Sequence, residues 1–257
     1  MIDITKAEEV FKEYVQGFEP SIKVVRKIEH TYRVERKSKE IAETIGLDAD
    51  GVELATLIGL LHDIGRFNQL KIVGSFSDKK LDHAIEGCRV LFEENKIRDF
   101  IEEDKYDDLI RKAIINHNRF SIDDITDEEE LLFSKIIRDA DKLDLLELYV
   151  NEDWVRDMIG EKYQTTNMIT KEVYDAFLNN KQIPRNLGIH KTMIDIAINT
   201  IGFLYDINYE YTFKKLKGDN TINLILDNFE KMNSECIEEL EVVRRHANEY
   251  LDGKIVS

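Results

Sequence analysis

The feature that most constrains this chain is an almost uniformly apolar segment, residues 54–66, in which a histidine and an aspartate are adjacent. Its apolar residues cover nearly every direction of a helical wheel, which predicts a helix enclosed by protein on most sides. An ionised carboxylate in an apolar interior is very costly unless it is paired or coordinates a metal. His62 and Asp63 therefore indicate either a hydrogen-bonded structural pair or part of a metal site.

The composition favours helices. The 257 residues include only two prolines and 12 glycines, and Leu, Ile, Glu and Lys are abundant. Such a chain is expected to form long helices with few breaks, so we predict an all-α fold. The length suits one domain with an extension. We expect a helical core over residues 1–150, and a helical extension over 151–257 that packs on the core without forming an independent domain.

The pattern along the chain predicts individual elements. Hydrophobic periodicity predicts helices over about 6–18, 30–45, 50–66, 81–95, 106–117 and 127–150. Thr5 and Asp50 have the spacing of helix N-caps, and Gly46 is placed to end the second helix. Residues 68–80 are rich in turn formers and predict a loop directly after the histidine–aspartate pair. Helical stripes continue beyond residue 150, with a polar helix near 237–251.

Charge and cysteine content restrict the partners. The chain has 36 basic and 52 acidic residues, a formal net charge of -16, which disfavours polymeric nucleic acid but still allows a small phosphorylated ligand at a metal-centred patch. Cys88 and Cys236 have no metal-binding spacing, which fits a reducing cytoplasm. Charges interrupt the N-terminal residues 1–8, and no apolar run of roughly 18 residues occurs, so we expect a cytoplasmic protein without a membrane partner.

Further histidines and aspartates lie in helical settings like that of the first pair. The connected set is His30, His62, Asp63, His83, His117 and Asp141. Each lies near a helix terminus or beside apolar neighbours, where a helical bundle directs side chains into its core. Gly87 lies four residues after His83, so the missing side chain is expected to leave room beside the imidazole. Together these residues predict a metal site.

Three aspartates lie within one apolar helical segment. Asp141 is four residues from both Ile137 and Leu145, so it shares their inward face. Asp139 is predicted to point elsewhere and to support a ligand, and Asp144 to orient one. Asp141 is therefore the member of this group that we predict to bind a metal.

The order of these residues carries a family resemblance. The motifs occur in the order His30, His62-Asp63, His83, His117 and Asp141. His30, His62-Asp63 and Asp141, within Asp-Ala-Asp-Lys-Leu-Asp, resemble the HD-domain superfamily of metal-dependent phosphohydrolases. The other two histidines resemble those of its dinuclear branches. The match covers about residues 20–150, with the motifs over 30–141, and implies an HD-type metal-binding helical core followed by the C-terminal helical extension.

The resemblance also implies a ligand set. One metal ion would be bound by His30, His62, Asp63 and Asp141. Asp63 would bridge to a second ion held by His83 and His117. Mixed imidazole and carboxylate ligands suit Mn, Fe, Co, Ni or Zn, and Mg is less natural at so histidine-rich a site. We therefore expect two divalent transition metal ions as cofactors.

Phosphoester or phosphoanhydride hydrolysis is the activity that follows from this resemblance, with a nucleotide as the expected substrate. Two close metal ions can activate a hydroxide for attack on phosphorus. Asp63 and Arg66 are the predicted catalytic residues. Arg66, three residues after Asp63, is also expected to clamp a phosphate, with a surface ion pair as the alternative. Further predicted substrate contacts, chosen because each neighbours a ligand, are Lys142, Asn118 and Arg119.

Two other functions share these ligands. Some relatives use a di-iron pair of the same six-ligand type as an oxygenase, and others are non-catalytic modules that sense nucleotides. Degenerate modules usually lose ligands, whereas every matching position is filled here, which favours an enzyme. His190 and His246 have no supporting ligands nearby in sequence and are assigned no role. Residues 151–257 contain no motif that indicates a function.

Overall fold

The protein is described here from a computed structural model that covers residues 2–157, 168–232 and 236–256. These residues are organised as helices, and no β-strand occurs among them, which confirms the predicted all-α fold. None of the helices in the described ranges combines the length and the apolar character that a bilayer crossing requires. The chain divides into two compact units, Met1–Asp141 and Lys142–Ser257. How residues 151–257 relate to the core stays a prediction.

The first unit is built around the apolar segment. Its helices are α1 (Ile4–Gln16), α2 (Ile22–Thr44), α3 (Ala49–Leu61), α4 (Gly65–Val73), α5 (His83–Cys88), α6 (Ile97–Phe100), α7 (Asp107–His117) and the first part of α8 (Glu128–Leu148). A π-helical turn, Arg89–Glu93, continues α5. Residues 54–61 of α3 are all buried, as the sequence predicts. Helices α2 and α3 pack very closely, because a Cβ added at Gly59 would lie 2.8 Å from the Glu35 Cα.

Two predicted N-caps were wrong by two residues. The cap of α1 is Asp3, whose Oδ1 accepts a hydrogen bond from the Lys6 amide at 3.0 Å, and Thr5 lies inside the helix. The cap of α3 is Asp48, whose Oδ1 accepts from the Gly51 amide. In both cases an aspartate was available just before the predicted cap, and aspartate ranks among the best N-cap residues.

Two boundaries near the candidate site also differ from the prediction. Helix α2 starts at Ile22 with Ser21 as its N-cap, so His30 lies in its interior and not near its beginning. Helix α4 covers Gly65–Val73, which leaves residues 74–82 as the connecting loop. Phe67 and Gln69 are buried in α4. Packing of these side chains outweighs the turn-forming composition from which a loop starting at residue 68 was predicted.

The second unit has its own apolar core. Its described helices, after the end of α8, are α9 (Glu152–Val155), α10 (Lys171–Leu178), α11 (Met193–Ile201), α12 (Glu210–Gly218), α13 (Thr221–Met232) and α14 (Ile237–Lys254). Short 3-10 turns cover Arg185–Leu187 and Gly202–Asp206. Every residue of α11 is buried, and a capping box formed by Thr192 and Asp195 begins this helix. This unit therefore folds around α11.

Candidate metal centre

The first unit brings all six predicted metal ligands together. His30 is contributed by α2, the His62-Asp63 pair by the turn between α3 and α4, His83 by the first residue of α5, His117 by the last residue of α7, and Asp141 by α8. The histidines and Asp63 are buried, and Asp141 is partly exposed. Packing of these helices around α3 thus brings motifs that are far apart in sequence into a single cluster.

Close packing of backbone fixes the turn that carries Asp63. A Cβ added at Gly65 would overlap the carbonyl oxygen of His83 and the amide nitrogen of Gly87, so only glycine lets the start of α4 lie against α5. A Cβ added at Gly87 would lie 3.4 Å from the Gly65 amide nitrogen. The space at Gly87 therefore serves this helix crossing, whereas the sequence had suggested that it makes room for the imidazole of His83.

The four imidazoles form one continuous row. The ring centroids of His30 and His62 are 5.3 Å apart, those of His62 and His117 are 5.2 Å apart, and those of His117 and His83 are 4.9 Å apart. Adjacent rings meet edge to face in each case. The row runs across the buried end of α3 and has Asp63 beside it.

The carboxylate of Asp63 has one oxygen for each pair of histidines. Its Oδ2 lies 3.4 Å from the Nε2 of His30 and 3.4 Å from the Nε2 of His62. Its Oδ1 lies 3.2 Å from the Nε2 of His83 and 3.6 Å from the Nε2 of His117. A carboxylate in this arrangement can contact two cations at once, one through each oxygen.

Asp141 joins the half of the centre that contains His30. Its Oδ1 lies 3.2 Å from the Nε2 of His30. Burial would raise the pKa of Asp141, but the hydrogen bond and the charge of His30 hold this pKa well below its ordinary value. Donor atoms lie within 4.8 Å of one another in two groups, one formed by His30, His62 and Asp141 and one by His62, Asp63 and His117.

Hydrogen bonds at Nδ1 fix the orientation of three of the rings. The acceptors are Gly59 O for His62 at 2.7 Å, Ile114 O for His117 at 2.6 Å and Asp78 Oδ1 for His83 at 2.7 Å. With Nδ1 engaged in this way, Nε2 is the ring nitrogen that faces the centre and is free to bind a metal when the ring is neutral.

Two of these Nε2 atoms lie in close contact. Burial lowers the pKa of His117 to about 4, so this ring is neutral at pH 7. The Nε2 atoms of His83 and His117 are only 3.0 Å apart. Both atoms also lie within 3.6 Å of Asp63 Oδ1, and imidazole with carboxylate is the donor set of Mn, Fe, Co, Ni and Zn. The residues present therefore fit divalent transition metal ions.

A lysine that the sequence analysis missed also contacts Asp63. The Nζ of Lys27 donates a hydrogen bond to Asp63 Oδ2 at 2.7 Å. Burial would raise the pKa of Asp63, but the charges of Lys27 and His62 keep it well below its ordinary value, so Asp63 is ionised. Lys27 precedes His30 by three residues on α2, and this helical spacing is a signal that could have pointed to it.

Two further residues position ligands. Asp78, in the loop after α4, accepts the hydrogen bond from His83, and nothing in its local sequence indicates this role. Arg138 is almost fully buried in α8 and donates from Nη1 to the carbonyl oxygens of Asn116 and Arg119, which binds α8 to the end of α7 that carries His117. An arginine within an apolar helical pattern is the signal that could have identified it.

Arg66 lies beside Asp63 but is engaged by other groups. Its Nη1 donates to Asp78 Oδ1 at 2.9 Å and to Gln69 Oε1 at 2.8 Å. Its Nε is buried 3.5 Å from Asp63 Oδ1 and makes no hydrogen bond within the described residues. Arg66 is thus a largely buried ion-pair partner, and its contact with phosphate stays a prediction.

The remaining predicted substrate residues and supporting aspartates are dispersed. Asn118 contacts Asp82 Oδ1 at 3.2 Å and lies 3.4 Å from the Nδ1 of His83. Arg119 is exposed and lies 4.0 Å from Asp123. Lys142 belongs to the second unit, where it pairs with Asp206 at 2.8 Å. Substrate roles for these three residues stay predictions. So do the supporting roles of the fully buried residues Asp139 and Asp144.

The comparison with family models agrees with this geometry. Residues 28–146 match the model of the HD domain, and this part of the chain belongs to the HD-domain superfamily. HD domains bind divalent metals and are commonly metal-dependent phosphohydrolases. Searches against curated proteins and against solved structures find no significant match to the chain.

Proposed function

We propose that the protein is a metal-dependent phosphohydrolase that cleaves a phosphoester or phosphoanhydride of a small phosphorylated substrate, with nucleotides as the substrate class. The observation that carries this proposal is the placement of Asp63, whose two oxygens each lie within 3.6 Å of one pair of histidine Nε2 atoms. A carboxylate shared between two histidine pairs would suit a pair of metal ions close enough to act together in hydrolysis.

The proposed ligands fall into two halves. His30, His62 and Asp141 would hold one ion with Asp63 Oδ2, and His83 and His117 would hold the other with Asp63 Oδ1. Two divalent ions in such a site lower the pKa of a bound water and stabilise negative charge on the phosphoryl and departing oxygens.

The chain's own residues prepare the centre for this chemistry. Asp63 stays ionised because its pKa is held well below the ordinary value, and His117 stays neutral because burial lowers its pKa. The Nε–H of Arg66 is proposed to donate to a phosphate oxygen, since this nitrogen is buried beside Asp63 without a hydrogen-bond acceptor in the described part of the chain. Ligand orientation and charge are thus set before substrate arrives.

The proposed substrate is small because of the charge of the whole protein. A formal net charge of -16 opposes the approach of a polyanion. A single nucleotide can still be held, since the cationic groups Lys27 and Arg66 lie at the centre itself.

The test couples metal analysis to turnover. Protein purified anaerobically is analysed for bound metal and screened for phosphate release from nucleotides and phosphodiesters with Mn, Fe, Co and Ni. We expect about two ions per chain in the wild type. In Asp63→Ala, we expect loss of metal and a fall in turnover of at least ~10³-fold, because both halves lose their shared ligand. Circular dichroism controls for folding of the variant.

Two outcomes would overturn the proposal. Bound iron with oxygen consumption and no phosphate release would favour the oxygenase. Nucleotide binding without any turnover in the metal-loaded protein would instead favour a sensing module. The phosphate-release screen and an oxygen electrode, applied to the same preparation, separate these functions.

A further inference from the structure

We infer that Lys27 is an additional substrate-binding residue: its ammonium group neutralises Asp63 in the metal-free protein and transfers to a phosphate oxygen when the centre holds metal and substrate. The inference rests on the proposed function and deepens it, because it adds a residue that recognises the phosphoryl group. It also assigns one side chain to two successive partners.

The position of Lys27 suits both partners. Its Nζ lies 2.7 Å from Asp63 Oδ2, and its side chain is 18% exposed whereas that of Asp63 is 4% exposed. Lys27 therefore lies between a buried carboxylate and solvent. Because it precedes His30 by three residues on α2, it projects from the same side of the helix as a proposed ligand. A phosphate held at the centre would come within reach of this ammonium group.

Metal binding changes what Lys27 can contact. Asp63 Oδ2 is the oxygen that also faces His30 and His62. A divalent ion held by these two histidines would share that oxygen with the ammonium group, and like charges at such a separation repel each other. The ion and Lys27 therefore compete for Oδ2, and the ammonium is expected to leave it when the ion binds.

The released ammonium group would need a new anionic partner. Within the described residues, Asp63 is the ion-pair partner of Lys27. The Nζ of Lys27 also lies 5.7 Å from the ring centroid of Phe76. The guanidinium carbon of Arg66 lies 5.8 Å from the same centroid. Two cations thus flank one aromatic ring beside the centre. A phosphoryl oxygen is the anion that the proposed reaction brings to this place.

The experiment measures binding of inorganic phosphate to the Mn²⁺-loaded protein by calorimetry. For Lys27→Met we expect phosphate to bind about 10- to 100-fold more weakly than in the wild type, the range for loss of a charge-assisted hydrogen bond. Mn²⁺ itself should bind as tightly as in the wild type or up to about tenfold more tightly, because the competing ammonium group is absent. Lys27→Arg should recover most of the phosphate affinity.

A matched control lies one turn away on the same helix. Lys23 is exposed on α2, and Lys23→Met removes the same charge without touching the centre, so its phosphate affinity should stay within about twofold of the wild type. Unchanged phosphate affinity in Lys27→Met would overturn the inference. A fall in Mn²⁺ affinity in that variant would do so as well, because Lys27 would then act by holding the ligands in place.

The two proposals fail in different ways. If the wild type binds metal and releases phosphate from a substrate while Lys27→Met binds phosphate normally, the inference alone is wrong. If the wild type binds no metal, the proposed function is wrong, and Lys27 remains the structural partner of Asp63.

Discussion

Two buried aspartates, one in each unit, are held in opposite ways. Asp195, in the second unit, accepts hydrogen bonds from the amides of Thr170, Lys191 and Thr192 and from the Thr170 hydroxyl. Asp63, in the first unit, accepts a hydrogen bond from Lys27, and its other close neighbours are the Nε2 atoms of four histidines and the Nε of Arg66. Both aspartates are buried, but the groups around their carboxylates differ.

The difference separates a structural carboxylate from a proposed metal ligand. Hydrogen-bond donors satisfy both oxygens of Asp195 and explain its burial without any further group. Three of the four rings around Asp63 are oriented by their own hydrogen bonds at Nδ1, so that Nε2, a possible metal-binding atom, faces the carboxylate. A buried histidine alone carries no such information. His190 is buried too, but it belongs to neither of the two groups of possible metal ligands found among the described residues.

The largest expected effect is that of Gly65→Ala. The new Cβ would overlap backbone atoms of His83 and Gly87, so α4 and α5 must move apart and carry His83 away from Asp63. We expect a loss of at least about 3 kcal/mol in the free energy of unfolding, as for severe overpacking. Urea denaturation measures this loss, and metal analysis of the folded fraction is expected to show a lower metal content.

Gly253→Ala is the matched control in the second unit. No atom lies within 4 Å of a Cβ added there, and the position is in the last turn of α14. Alanine is expected to leave stability within about 1 kcal/mol of the wild type. Equal stability of the two variants would contradict the close packing of α4 on α5.

The second prediction concerns Asp195→Ala. Removing this carboxylate leaves the amides of Thr170, Lys191 and Thr192 buried or partly buried without their acceptor, and the start of α11 loses its capping box. We expect the free energy of unfolding to fall by about 2–3 kcal/mol. Metal content and turnover per folded molecule should stay at the wild-type values, because metal binding is assigned to Asp63.

Metal analysis of Asp195→Ala therefore tests the comparison directly. A variant that folds but binds less metal would show that the two buried aspartates are not functionally separate. Denaturation in the presence of chelator controls for stabilisation by bound ions.

The sequence predicts the parts of this molecule that local patterns determine. Full burial of residues 54–61 follows from an apolar pattern without a polar face, and the placement of His117 at the end of α7 follows from its apolar stripe. Membership of the HD-domain superfamily follows from the order of the motifs. These features depend on residues that are close in sequence or on a known motif order.

Features set by tertiary contacts were missed. Asp78 reaches His83 from the loop after α4, and Lys27 reaches Asp63 across 36 positions of sequence. Residues 68–73 of α4 were predicted as a loop from their composition, which the packing of this helix, with Gln69 buried, outweighs. The spacing of Lys27 and His30 places Lys27 on the same side of α2 as a predicted ligand, but it does not contain the contact with Asp63, and no local pattern indicates the contact of Asp78.

The third prediction is that Asp78→Asn weakens one half of the centre. Its carboxylate accepts the Nδ1 proton of His83 at 2.7 Å, and the neutral amide is a weaker acceptor that also allows the other tautomer. Loss of such a supporting carboxylate typically lowers metal affinity by about 10- to 100-fold. Titration with Mn²⁺ should show that one of two ions binds more weakly.

The exposed carboxylate of Asp99 provides the control. Asp99→Asn is expected to leave both affinities unchanged within about twofold. Equal weakening of both ions by Asp78→Asn would contradict the assignment of His83 to one half.

The smallest expected effect concerns a third buried carboxyl group, that of Glu35. Its Oε1 is buried without a hydrogen-bond partner among the described residues. Burial, together with the charge and hydrogen bond of Glu8, raises the pKa of Glu35 to about 8. The folded protein therefore keeps Glu35 protonated at pH 7, whereas the unfolded chain ionises it above about pH 4.5. Glu35 is thus neutralised by a proton, whereas Asp195 is satisfied by hydrogen-bond donors and Asp63 is paired with a cation.

This protonation makes stability depend on pH. Between about pH 4.5 and 8 unfolding releases the proton of Glu35, so its contribution to the free energy of unfolding falls as pH rises and stops changing above about pH 8. Glu35→Gln imitates the neutral carboxyl group at every pH. We expect a flatter pH profile and a gain of about 1 kcal/mol at pH 8, measured by urea denaturation.

Glu29→Gln, at an exposed position of the same helix, should follow the wild-type profile. If Glu35→Gln follows it too, Glu35 is ionised in the folded protein, and a buried carboxylate without adequate donors or a metal would then exist in the same unit as Asp63. That result would weaken the inference from burial to metal binding, because a cation is placed at Asp63 on the ground that an unsatisfied buried carboxylate is very costly.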